Sequence, residues 1–152
     1  MKQLVYLVFF VMFGISSQAQ KINWMSFDQA ISAQKKSLKP IFIDVYTNWC
    51  PPCKLLDEQT FSNEELANYI NENFYAVKFN AEGNESITFS GKTFKNPRYD
   101  ASRANSRNSM HEFAYHLKVQ AYPTMIVIGK DAKIDKNILG FRNAKQLLLE
   151  LQ

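Results

Sequence analysis

The chain has 152 residues, 46% of them hydrophobic and 21% charged, with 18 Lys+Arg against 14 Asp+Glu for a formal net charge of +4. That length suits one compact domain with its own core rather than two. The basic excess is small and spread along the sequence, which makes no case for nucleic acid or lipid headgroups as partners.

Met1-Lys2 is followed by an apolar run from Leu4 to Ile15 and then by Ser16-Ser17-Gln18-Ala19, with small residues where a signal peptidase inspects the chain. This predicts a secretory signal peptide over 1–19, cut after Ala19, and a mature domain over 20–152. The apolar run is short of the roughly 20 residues a membrane span needs, so no stable membrane insertion is expected after cleavage. No cysteine follows the run, which excludes bacterial-type lipid attachment to an N-terminal Cys.

Ser26 and Gln29 form a capping-box pattern, and Phe27, Ala30, Ile31 and Gln34 follow at helical spacing, predicting a helix from Phe27 to Ser37. Pro40 to Tyr46 is a continuous apolar run, as in a strand covered on both faces, with Asp44 its single charge. Lys54 to Gln59 continues as a helix, and Ser62 with Glu65 predicts a second capping box for a helix near Asn63 to Asn73. Phe74 to Asn80 is β-prone. The polar stretch from 81 to 108 reads as an insertion containing one hairpin, Ile87-Thr88-Phe89 and Thr93-Phe94 around Ser90-Gly91.

Met110, Phe113, Ala114 and Leu117 have the spacing of a helix with one buried face. Tyr122-Pro123-Thr124 opens a strand through Ile128, Gly129 to Ala132 turns into a strand from Lys133 to Leu139, and Asn143 to Leu151 forms a last helix. A βαβ half followed by a ββα half gives an α/β fold, with a mixed central sheet and helices on both faces.

The only two cysteines are Cys50 and Cys53, in the stretch Trp49-Cys50-Pro51-Pro52-Cys53-Lys54 at a strand-to-helix turn. In an exported protein such a pair can be a staple. Closing so short a loop removes little chain entropy, however, which favours a working redox pair. Cys50 is expected just ahead of the helix, where unpaired N–H groups favour a thiolate. Cys53, one turn later and more enclosed, is expected to attack the mixed disulfide formed by Cys50. Pro51 and Pro52 pre-set a first helical turn but offer the Cys50 sulfur no N–H. His111 and His116 complete a formal zinc inventory with the pair. Five residues on a helix rotate about 500°, however, so the imidazoles diverge. No metal and no cofactor is expected, and the two histidines read as ordinary helix residues.

Asp44 six positions before Cys50, the Trp49 to Lys54 core, Lys78 in the next strand and Tyr122-Pro123-Thr124 together resemble the thioredoxin family over nearly all of the mature chain outside 81–108. Thr60-Phe61-Ser62 further resembles exported thioredoxin-like proteins and the reductase-type thioredoxin domain of periplasmic disulfide-interchange proteins. The resemblance implies a thioredoxin-like fold and a protein-disulfide reductase or isomerase that acts through Cys50 and Cys53. It makes Asp44 the proton acceptor for Cys53 through water, with Lys78 beside it. It also implies a cis Tyr122-Pro123 bond that sets the Tyr122 backbone against Cys50 to receive an extended substrate segment, with Trp49 on the apolar rim. Trp49, Pro51, Pro52, Tyr122, Pro123 and Thr124 are thus the expected substrate-binding set. The implied partners are protein thiols and disulfides and a membrane-bound thiol electron donor, in the periplasm of a Gram-negative bacterium or another extracytoplasmic space, with the protein a monomer. A disulfide-forming oxidase and a redox-inactive binding module of the same fold remain the alternatives.

The insertion leaves the carboxyl end of a strand parallel to the one before Cys50, the side on which α/β sheets carry their sites. Lys92, Lys95, Arg98, Arg103 and Arg107, with Phe89, Phe94 and Tyr99, are therefore candidates for selecting a partner.

Overall fold

A computed structural model describes residues 21–152, so the expected signal peptide lies outside the described residues. Strands β1 (Trp24–Met25), β2 (Ile41–Tyr46), β3 (Tyr75–Asn80), β6 (Thr124–Ile128) and β7 (Ile134–Leu139) form one sheet in the order β1-β3-β2-β6-β7. β1 and β2 run parallel to β3, whereas β6 is antiparallel to β2 and β7 to β6. A separate hairpin, β4 (Ile87–Phe89) with β5 (Lys92–Phe94), turns through Ser90 and Gly91 at φ 50° and 76°. That pair of left-handed residues suits the twist of a two-residue loop.

Period-two alternation divides the apolar run of β2 between two cores. Ile41, Ile43 and Val45 join a cluster with Phe27, Phe79 and Phe113, while Phe42 joins one with Leu56, Leu66, Ile70 and Leu147. Asp44 shares the face of Phe42, so it points toward the layer that carries the cysteines. That layer holds α2 (Pro51–Leu55), a wider π turn (Leu56–Thr60), α3 (Glu64–Asn73) and α5 (Ala144–Leu151); α1 (Phe27–Gln34) and α4 (Glu112–His116) pack with the other cluster.

Several expectations are corrected. The first helix ends at Gln34, three residues early. The N-cap of α3 is Asn63, whose side chain accepts from the Leu66 N–H, while the Ser62 hydroxyl turns back to donate to the Glu58 carbonyl. β1 has no sequence signal beyond two residues, Trp24 and Met25. Met110 precedes α4 rather than lying within it.

His111 is not an ordinary helix residue. It caps α4, fully buried, with Nδ1 accepting from the Phe113 N–H at 3.0 Å and Nε2 2.7 Å from the Glu85 carbonyl. An N–H acceptor at Nδ1 requires the proton on Nε2, so the ring is held as the neutral Nε2–H tautomer. These two contacts tie the start of α4 to the loop before β4. His111→Ala leaves a buried donor and acceptor unpaired and is expected to lower stability by about 1–3 kcal/mol, read as a reduced urea midpoint at unchanged m-value.

Candidate active site

β2 ends at Tyr46, and three residues later the chain enters the cysteine motif. Because β6 is antiparallel to β2, with Val45 opposite Thr124, the residues that open β6 lie at the same end of the sheet as the loop after β2. Tyr122–Pro123 is a cis peptide bond at this end, and the Trp49 and Tyr122 rings meet edge to face, 6.0 Å between centroids. Thr124 is buried and its hydroxyl donates to the Ala121 carbonyl at 2.7 Å. Burial pushes the Tyr122 phenol up to about 12, with Glu82 adding to the rise, and its hydroxyl has no hydrogen-bond partner among the described residues.

Cys50 is the N-cap of α2, with Pro51 and Pro52 opening the helix exposed to solvent. It is joined to Cys53 by a disulfide, Cα to Cα 5.3 Å. The prolines supply no N–H, but Cys53 does: its backbone donates to Cys50 Sγ at 3.2 Å. A thiolate at Cys50 would therefore have one fixed backbone donor. Both cysteines are buried, Cys50 at 2% and Cys53 at 4% exposure, so the expectation that Cys53 is the more enclosed of the two does not hold with the disulfide closed.

Asp44 is 1% exposed, pairs across the ladder with Lys78, and receives the Lys78 ammonium on Oδ2 at 3.1 Å. Its other oxygen, Oδ1, has no partner among the described residues. Burial raises the Asp44 pKa from 3.8 to about 6, outweighing the pull of Lys78. Lys78 is more open and faces a second carboxylate, Asp57 of the π turn. Burial pushes the ammonium down, but Asp44 and Asp57 together outweigh it and its pKa ends raised. The rings of Trp24, Tyr46 and Phe61 surround the ammonium, each centroid within 5.1–5.6 Å. Cation–π attraction thus adds to two carboxylates in keeping it charged.

Two groups outside the expected set complete the site. Asp57 lies in the run Asp57-Glu58-Gln59, where nothing in the sequence separates it from its solvated neighbours. Glu82, two residues past β3, accepts the Trp49 indole N–H at 2.7 Å and the Asn108 backbone N–H at 2.8 Å on one oxygen. The far limb of the 81–108 segment thereby reaches the cysteine motif. The β4–β5 hairpin does not: Ile87, Phe89 and Phe94 pack in the opposite core with Phe113. Among the described residues no cluster of three or more His, Cys, Asp or Glu side chains is placed to hold a metal, and no helix is long and apolar enough to cross a membrane.

Comparison with known proteins agrees with this geometry. Residues 27–152 match the family model described as thioredoxin-like domain. Over 123 residues, 80% of this chain, the sequence is 25% identical to the thiol:disulfide interchange protein DsbD of Pectobacterium atrosepticum. A shorter stretch of 62 residues, 40% of the chain, is 37% identical to spermatogenesis-associated protein 20 of Rattus norvegicus. The chain spans only 17% and 8% of the lengths of those two relatives. The solved structure of DsbH oxidoreductase superposes with a TM-score of 0.62 at 17% identity, covering 88% of this chain and 83% of that one. The chain belongs to the thioredoxin-like domain family.

Proposed function

We propose that the protein is an exported thiol–disulfide oxidoreductase that reduces or isomerises protein disulfides through Cys50 and Cys53. The observation that carries the reading is the Cys50–Cys53 pair at the start of α2, with the Cys53 N–H on Cys50 Sγ, in a chain that also buries Asp44 against Lys78. In the reduced form the Cys50 thiolate attacks one substrate sulfur. The Cys50–substrate bond forms as the substrate disulfide breaks, and the departing thiolate takes up a proton. Cys53 then gives up its proton and attacks Cys50, forming the Cys50–Cys53 disulfide and releasing the second substrate thiolate, which is protonated in turn. The substrate gains two electrons from the dithiol and two protons, one released by Cys53 and one, from solvent, matching the proton Cys50 gave up when it ionised.

Asp44, with a pKa raised to about 6, is the acceptor for the Cys53 proton through water, and Lys78 with Asp57 sets its charge. Tyr122 and Pro123 present backbone to an extended substrate segment, with Trp49, Pro51, Pro52 and Thr124 around it. The likeness to the thiol:disulfide interchange protein DsbD supports thiol–disulfide exchange; protein disulfides as substrates, a membrane-bound thiol as electron donor, the periplasm or an equivalent space as location and a monomeric state complete the proposal.

The helix turn supports the reducing or isomerising direction. The Cys50 sulfur accepts from one backbone N–H, and the residues between the cysteines are two prolines with neither N–H nor imidazole to stabilise a thiolate further. A weakly stabilised reduced form makes a poor oxidant. Equilibration against glutathione should place the pair well below the roughly −120 mV of strongly oxidising dithiols, and the reduced protein should precipitate insulin. A potential near that limit, with no insulin reduction, would replace this reading with an oxidase.

A further inference from the structure

The end of the 81–108 segment is fixed to the cysteine motif at two places. Asn48 Nδ2 donates to the Ala104 carbonyl at 2.7 Å, and Glu82 joins the Trp49 indole to the Asn108 backbone. Arg107 lies between these anchors. Its guanidinium carbon sits 4.7 Å from the Trp49 ring centroid while the residue remains exposed. Cation–π contact with Trp is among the more favourable for Arg, and here it biases a long, exposed side chain toward the Trp49 face. Among the described residues Arg107 is in no ion pair. The neighbouring acid, Glu82, directs one oxygen at the indole edge and the backbone instead.

The result is a cation biased toward one position, with its donors open to solvent, on the ring that follows β2 into Cys50 and meets Tyr122. A planar guanidinium in that state is suited to a carboxylate arriving from outside. We propose that Arg107 is a specificity-determining residue that selects disulfides carrying an acidic side chain beside the attacked cysteine. The proposal rests on the exchange reading above. It differs from a packing role for Arg107 in one respect: packing on Trp49 is indifferent to the charge of the substrate.

The test uses the reduced full-length mature protein and two peptides, each with one intramolecular disulfide, identical except for Glu or Lys flanking the cysteines. Wild type should reduce the Glu peptide about fivefold faster in kcat/KM, the upper range for one exposed ion pair. The preference should fade toward ~1 M salt, where the Debye length is about 3 Å. Arg107→Glu should reverse the order, and Arg107→Met, which keeps an apolar stem on Trp49, should abolish it. The ratio within each variant is the readout, so a general loss of rate does not disturb it, and Arg107→Met serves if Arg107→Glu fails to fold. Equal rates for both peptides in wild type, or a wild-type preference unchanged in either variant, overturns the proposal. A neutral control, 2-hydroxyethyl disulfide, separates the two levels: if wild type fails to reduce it as well as the peptides, the exchange reading falls and this proposal with it.

Discussion

Cys53→Ser is expected to stop turnover while leaving Cys50 covalently attached to whatever it has attacked. Cys50 is the sulfur at the helix N-cap and the one receiving a backbone N–H, so its attack does not need Cys53 as a nucleophile. Release does, because the only other thiol in the chain is at position 53. Insulin reduction should fall by about three orders of magnitude or more, and a stable mixed disulfide should appear on non-reducing gels. Cys50→Ser should lose activity to the same extent with no adduct. The contrast assigns the roles: equal adduct formation by both variants would mean either cysteine can attack, and no adduct from either would remove the exchange mechanism. Expressed in the native cell, the Cys53→Ser protein also identifies clients and donor by what remains bound.

Asp44→Asn should gain stability on wild type as pH rises and should be slower in exchange. In the unfolded chain Asp44 titrates near 3.8, and in the fold near 6. Between those values the folded state holds more protons than the unfolded, so stability falls as pH rises through the window. Above pH 6 the ionised buried carboxylate carries its full penalty, of order 3 kcal/mol for a rise of this size. Asn removes it, and Lys78 retains Asp57 as a partner. Urea unfolding should therefore show the variant gaining about 2–3 kcal/mol over wild type at pH 7 relative to their difference at pH 4. The same change removes the proton acceptor for Cys53, and resolution of the mixed disulfide should slow about a hundredfold at pH 7, recovering at higher pH as the thiol ionises unaided. Normal resolution across pH would exclude Asp44 from the mechanism; an unchanged stability difference would mean that its burial is compensated elsewhere.

What the sequence made legible had local causes. The cysteine spacing, the prolines that start a helix and the Ser26–Gln29 box act within one turn, and each is found as expected. Asp44 was conspicuous because a charge in an apolar strand demands a partner. Its neighbour Lys78 came from family resemblance, since no periodicity links residues 44 and 78. Asp57, Glu82 and the buried role of His111 were invisible for the same reason. Asp57 meets Lys78 across 21 positions and Glu82 meets Trp49 across 33, and in sequence both are acids in polar stretches. The Ser62–Glu65 box placed the cap one residue early: Asn63 caps the helix and Ser62 bonds back to Glu58, a shift no local pattern separates.

The β4–β5 hairpin has a bearing on how the molecule opens. Ile87, Phe89 and Phe94 are buried against Phe27 and Phe113, Phe94 lying 5.3 Å from Phe113 between ring centroids, and Asn96 ties the neck by donating to the Gly83 and Ser109 carbonyls. A segment that only decorated the surface would fray by itself, at a small fraction of the global unfolding energy. This one contributes side chains to the main core, so its amides should exchange with the cooperative unit of the whole domain. The limb that carries Arg107 leaves this buried hairpin through Asn96 and is tied to the cysteine motif by Asn48 and Glu82.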